Sequence, residues 1–222
     1  MTQRRDFLRQ ASLLAAGSAA AAPLFAQGTP ATPPQATTEW DMSWTSRVTG
    51  RHKMCFDAHK ISEGVCLHQV RSFLAGYGTI YNLTDADLSA VLVIRHSAIP
   101  MVFGDAMWAD GKLAEEDSLK DPATGEPAKR NPFINIAPGS RFSTTWADGA
   151  LDTLISRGVI VLACDLATRN FAGRIAQWRG LPRQDALDLT YRSFLPGVYR
   201  LPTGIFATSH AQSLGCGVLN AV

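Results

Sequence analysis

Two uninterrupted apolar runs, Ala90-Val91-Leu92-Val93-Ile94 and Val159-Ile160-Val161-Leu162-Ala163, constrain this chain more than any other feature. A strand with one solvated face alternates apolar and polar residues, whereas a short run that is apolar throughout and rich in β-branched side chains suits a strand covered on both faces. A parallel sheet with helices on either side meets that condition. The helices are readable between the strands. After Gly64, Val70, Phe73, Leu74 and Tyr77 recur at helical spacing, and Leu151, Leu154 and Ile155 line a helix that Gly158 ends. Further helices are expected over 164–178, 182–195 and 203–215, with another beginning in 100–108, and shorter strands at 53–57, 198–201 and 216–219. The expected class is α/β, a three-layer sandwich with a mostly parallel sheet in a single domain.

The first residues point to export. Gln3-Arg4-Arg5-Asp6-Phe7-Leu8-Arg9, followed by a weakly apolar run over 11–26, has the paired arginines of a twin-arginine (Tat) signal. That run is broken by Pro23 and falls short of the roughly 20 residues that span a bilayer, so no stable membrane span is expected. The expected organisation is a signal at 1–27, cleaved between Ala22 and Gln27, then a flexible Pro/Thr-rich linker at 28–49 and a domain at 50–222. Within the domain, 109–145 is charged and turn-rich and reads as a long surface excursion. The Tat translocase is the partner during export, and the destination is the periplasm.

Charge excludes some partners. Removing Arg4, Arg5, Arg9 and Asp6 with the signal takes the 21 basic and 19 acidic residues to equal numbers, so no basic surface argues for nucleic acid. The cysteines are less restrictive. A chain exported folded must fold first in the reducing cytoplasm, so free or functional thiols are compatible with a periplasmic address.

In a sheet wound this way ligands bind beyond the carboxyl ends of the strands, which directs attention to the residues that close each run. Cys164 closes the second run and opens a helix, where backbone N–H groups and the positive end of the helix dipole favour a thiolate; Asp165 beside it opposes that. His96 closes the first run and can exchange a proton with a thiol or bind a metal, while Arg95 alternates to the other side of the strand and reads as structural. Five of the nine His and Cys residues, His52, Cys55, His59, Cys66 and His68, fall within seventeen positions. Only His59, in the loop after the first strand, is placed to join His96 and Cys164 as a metal set, because Cys66 and His68 point in nearly opposite directions on a helix. No zinc-finger or haem-attachment spacing occurs. Cys216 reads as packed, and Trp146, Phe171 and Trp178 as helical core residues.

Three segments together, Gly158-Val159-Ile160-Val161-Leu162-Ala163-Cys164, Leu195-Pro196-Gly197-Val198 and Ala211-Gln212-Ser213-Leu214-Gly215-Cys216, resemble the DsrE/DsrF-like family in order and spacing. The resemblance covers residues 50–222 and is best from 158 onward; the 109–145 segment is extra to a minimal member. It implies a small three-layer α/β fold, a homo-oligomer, and sulfur-relay or thiol-redox chemistry in which Cys164 carries sulfane sulfur as a persulfide from a small sulfur-containing molecule or a partner protein, with His96 tuning it. Two other readings stay open: a metal- or haem-binding periplasmic protein, suggested by the His/Cys density, and a non-catalytic binding or assembly module that uses 109–145.

Overall fold

The computed structural model describes residues 39–121, 124–138 and 146–222. The signal at 1–27 and the first part of the 28–49 linker lie outside the described residues. The two apolar runs lie at the middle of a five-stranded sheet. β2 (Leu88–Ile94) and β3 (Ile160–Cys164) are buried at every position. β1 (His52–Ala58) flanks β2, β4 (Val198–Leu201) flanks β3, and β5 (Gly217–Asn220) lies beyond β1. The order is β4-β3-β2-β1-β5 and every pairing is parallel, with Cys55 opposite Val91 and Ile94 opposite Ala163. The helices are α1 (Val65–Tyr81), α2 (Asp105–Trp108), α3 (Lys112–Glu116), α4 (Leu151–Ser156), α5 (Asp165–Arg179), α6 (Arg183–Arg192) and α7 (Gly204–Ser213).

The chain steps one strand at a time from β1 to β4 and then returns across the whole sheet to β5. Because crossovers between parallel strands are right-handed, the first three connections belong on one face and the return on the other. Two cores result. On the α1 face, Ala90, Leu92, Ile94, Val161 and Ala163 pack with Leu67 and Val70 of α1, Leu154 of α4 and Phe171 of α5. On the α7 face, Val91, Val93, Ile160 and Leu162 meet Ala207 and Ala211 of α7. Alternate residues of each run thus enter opposite cores, which is why neither run tolerates a polar residue. The fold is the α/β sandwich of helix, sheet and helix layers, and the described residues lie in one compact unit.

Three expectations need correction. The packed domain begins before residue 50: Trp44, in the 3-10 helix Ser43–Arg47, is fully buried in the α7-face core with Val48. The 109–145 segment is more than a surface excursion, since Leu113, Ala114, Ala128 and Phe133 are buried in the α1-face core. Asn131 fastens it there, its Nδ2 donating to the carbonyls of Met101 (2.9 Å) and Phe103 (2.7 Å) while its Oδ1 accepts the Phe133 N–H at 2.9 Å. The helix expected over 100–108 is divided: Pro100 sits inside the 3-10 helix His96–Val102, extended backbone follows at Phe103, and α2 starts at Asp105. The break falls at Phe103 and Gly104, whose extended backbone is held to the segment before β4 by the Phe103–Phe194 bridge and by the Gly104 N–H donating to the Ser193 carbonyl at 2.8 Å. Phe171 is buried as expected and Trp178 packs against the core, whereas Trp146 is 57% exposed with the Arg71 guanidinium 4.1 Å from its ring centroid. Among the described residues no helix is long and apolar enough to cross a membrane.

Candidate functional site at the carboxyl ends of the strands

The residues that end β2 and β3 and follow β4 open onto one cavity of about 300 Å³. Arg95, His96 and Ser97 reach it from β2, Cys164 from β3, and Thr203 and Gly204 from the chain after β4. Two helices begin at its wall. Cys164 is the N-cap of α5, its Sγ accepting the Ala167 N–H at 3.5 Å, and Thr203 is the N-cap of α7, its Oγ1 accepting the Phe206 N–H at 3.1 Å. A capping side chain satisfies an N–H that the helix cannot, and the unpaired N–H groups give that end a positive potential. Cys164 therefore stands at the positive end of α5, although only 6% of it is exposed.

His96 and Cys164 share this cavity as expected. His96 is exposed and takes a left-handed backbone (φ 53°) as the first residue of the 3-10 helix. Non-glycine residues pay for that conformation in steric strain, and such outliers concentrate at functional sites. His59 does not line the cavity. Its carbonyl accepts the Ser97 hydroxyl at 3.0 Å, and its Nδ1 is buried without a hydrogen-bond partner. The metal set His59, His96 and Cys164 is not assembled: among the described residues no three His, Cys, Asp or Glu side chains are grouped to hold a metal ion. Cys55 and Cys66 are separated by the sheet itself, one in each core.

Arg95 is more than a strand-end residue. Alternation carries it to the α7 face, opposite Ile94, and the cavity extends over the sheet end to that face because α7 begins there. Its guanidinium makes two hydrogen bonds to Asp57, Nε to Oδ1 at 2.7 Å and Nη2 to Oδ2 at 2.9 Å. Its stem lies on Gly204: a Cβ at that position would stand 2.6 Å from Arg95 Cβ and closer still to Cδ. The hydrogen bonds to Asp57 hold the guanidinium above its ordinary pKa, against the opposing effect of partial burial. Asp57 and Gly204 are absent from the sequence reading. The available signal was an acidic and a basic residue at matching ends of adjacent parallel strands.

Asp165 is neutralised where it stands. Tyr191 Oη donates to its Oδ1 at 2.7 Å, Arg200 Nη1 donates to the same oxygen at 2.9 Å, and Arg169 Nε donates to Oδ2 at 2.6 Å. Burial pushes the carboxyl pKa up, but the hydrogen bonds from Arg169, Tyr191 and Arg200 outweigh it and leave the group below the usual value. Its charge is thus answered by two guanidiniums beside Cys164. The other thiols lie in different surroundings: burial pushes Cys55 and Cys66 up to about 12, and Cys216 upward as well. All four cysteines are free.

A scan of family models and a search of curated proteins each return no match for this chain.

Proposed function

We propose that this protein handles sulfur through Cys164, which takes up sulfane sulfur as a persulfide. One observation carries the reading: Cys164 caps a helix at the wall of the cavity formed by the strand ends, beside His96 and Arg95. The Cys164 thiolate attacks the sulfane sulfur of a donor. A new S–S bond forms on Cys164 as the donor's own S–S bond breaks, and the donor fragment leaves with the electron pair, so no outside oxidant or reductant is required. His96 accepts the thiol proton, and the helix N-terminus stabilises the anionic sulfur.

The resemblance of the C-terminal half to DsrE/DsrF-like sulfur carriers supports the same chemistry, and the arginine pair at Arg4 and Arg5 supports delivery to the periplasm by the Tat route. Homo-oligomer formation belongs to this reading too.

Mass spectrometry of the folded protein after treatment with inorganic polysulfide tests the assignment. The expected result is a gain of one sulfur atom on the peptide containing Cys164, removed by dithiothreitol and lost in Cys164→Ser. No gain, or the same gain in Cys164→Ser, rejects it.

A further inference from the structure

We infer that Arg95, fixed by Asp57 and seated on Gly204, is the positioning residue that makes Cys164 an anion-tolerant thiolate site. The inference rests on the assignment of Cys164 as the reacting group but concerns a different residue and a different property.

The geometry separates Arg95 from an ordinary surface cation. A long side chain left in solvent samples many rotamers, and its field at any one point is screened and averaged. Arg95 has lost that freedom. The planar fork is matched by both oxygens of Asp57, the pairing in which guanidinium geometry is most specific. Its backbone N–H is held by the Ala58 carbonyl at 2.9 Å, so its own strand end is tied to β1. The stem then crosses the start of α7 where the chain has glycine, and any side chain there would collide with it. Gly204 has no left-handed backbone to explain it, since φ is positive at other glycines and not here. What requires glycine at 204 is the close passage of Arg95.

Five charged or titratable groups bear on the cavity that Cys164 lines. Arg95 approaches from the end of β2 with the Asp57 carboxylate paired to it, His96 from the same loop, Arg174 from the third turn of α5, and Asp165 from the position next to Cys164. Asp165 is consumed by Arg169, Arg200 and Tyr191, and Arg174 is drawn to Glu116 at the rim with its guanidinium 3.6 Å from the Phe171 ring centroid. From α7, the element packed on the other wall, the cavity receives only Thr203, Gly204 and Ile205, none of them charged. Arg95 is the cation at this cavity held both by a carboxylate on the neighbouring strand and by close packing against Gly204.

Alkylation of Cys164 by a neutral and an anionic reagent, iodoacetamide and iodoacetate, compared across pH in the full-length protein, reads this role directly. In Arg95→Gln the iodoacetamide rate near neutral pH is expected to fall by about tenfold, and the iodoacetate rate by more, so that the ratio of the two drops. Gly204→Ala, which displaces Arg95 without removing it, is expected to lower the ratio in the same sense as Arg95→Gln, by less. Arg95→Lys is expected to recover part of the ratio, and Arg174→Gln to change it least. A merely structural role would alter both rates together and leave the ratio unchanged, and that result, or wild-type rates in Arg95→Gln with its melting temperature preserved, overturns the inference. Because alkylation needs no sulfur donor, a wild-type protein that never takes up sulfur but shows the Arg95 effect would reject the persulfide assignment and leave this one standing.

Discussion

The two edges of the sheet are finished differently. Along β4, the segment before β1 lies over the strand: Arg47 donates to Tyr199 Oη at 3.3 Å and to the Gly158 carbonyl at 3.2 Å, and the Arg200 guanidinium lies 4.9 Å from the Trp40 ring centroid and 4.4 Å from that of Tyr191. Along β5, all four residues are exposed, and Gly-Val-Leu-Asn contains no charge and no proline. An uncovered edge with apolar side chains is the kind that natural sheets usually protect. The polar network has been concentrated at the edge nearest Cys164, where Arg200 also holds Asp165. The lesson is that the cavity is supported from the β4 side, and that the β5 side contributes chiefly the register of β1.

The comparison breaks most decisively at Trp44, which anchors the segment that covers β4. Trp44→Ala is expected to cost about 3–5 kcal/mol in denaturant unfolding, because a fully buried indole leaves a large cavity. A loss under about 1 kcal/mol would mean that the covering segment is not part of the folded unit.

Next is Asp165→Ala, expected to destabilise by about 2–3 kcal/mol; Arg169 and Arg200 are partly exposed, which discounts the pair from a fully buried one. The same carboxyl gives an acid limb. Its folded pKa is depressed, so its contribution is complete above the unfolded value of about 3.9 and is lost as pH falls through the lower folded value. A pH series of thermal unfolding in wild type and Asp165→Asn checks this, the variant being expected to lose that part of the acid sensitivity.

The cysteines supply the opposite limb. Cys55 and Cys66 titrate near 12 in the fold and near 9 when unfolded, so the unfolded chain releases protons first and stability declines as pH rises between those values. The expected slope is at most about 1.4 kcal/mol per pH unit for each thiol. Cys66→Ala should flatten it, measured as denaturant midpoints from pH 8 upward.

The smallest effect belongs to β5. Leu219→Lys, at a side chain 40% exposed, is expected to change stability by less than about 1 kcal/mol. A larger loss would show that this edge is as integrated as the other.

What the sequence made legible follows the same division. β2 and β3 were readable because burial on both faces leaves no polar residue in the run, and Cys164 and His96 followed as the residues where those runs stop. The helix expected over 203–215 was readable, and Thr203 at its start caps it by accepting the Phe206 N–H. Arg95 with Asp57 was legible at most as opposite charges at matching strand ends, since strand alternation predicts which face a side chain takes but not that a cavity wraps around the sheet end to meet it. Asn131 and Trp44 were missed for a related reason. Each lies in a stretch whose composition is that of a loop or tether, and each is committed to the fold by contacts with residues distant in sequence.

The pairing of β5 with β1 also sets an order of events during synthesis. Met54 is matched with Gly217, 163 positions further along the chain, and the Asp57 carbonyl accepts the Ala221 N–H at 2.9 Å. A ribosome releasing this chain has therefore made β1 long before the strand that borders it exists. Contacts that close so large a loop form late and slowly. Until the last strand emerges, β1 is itself a bare edge, open to pairing with the wrong strand.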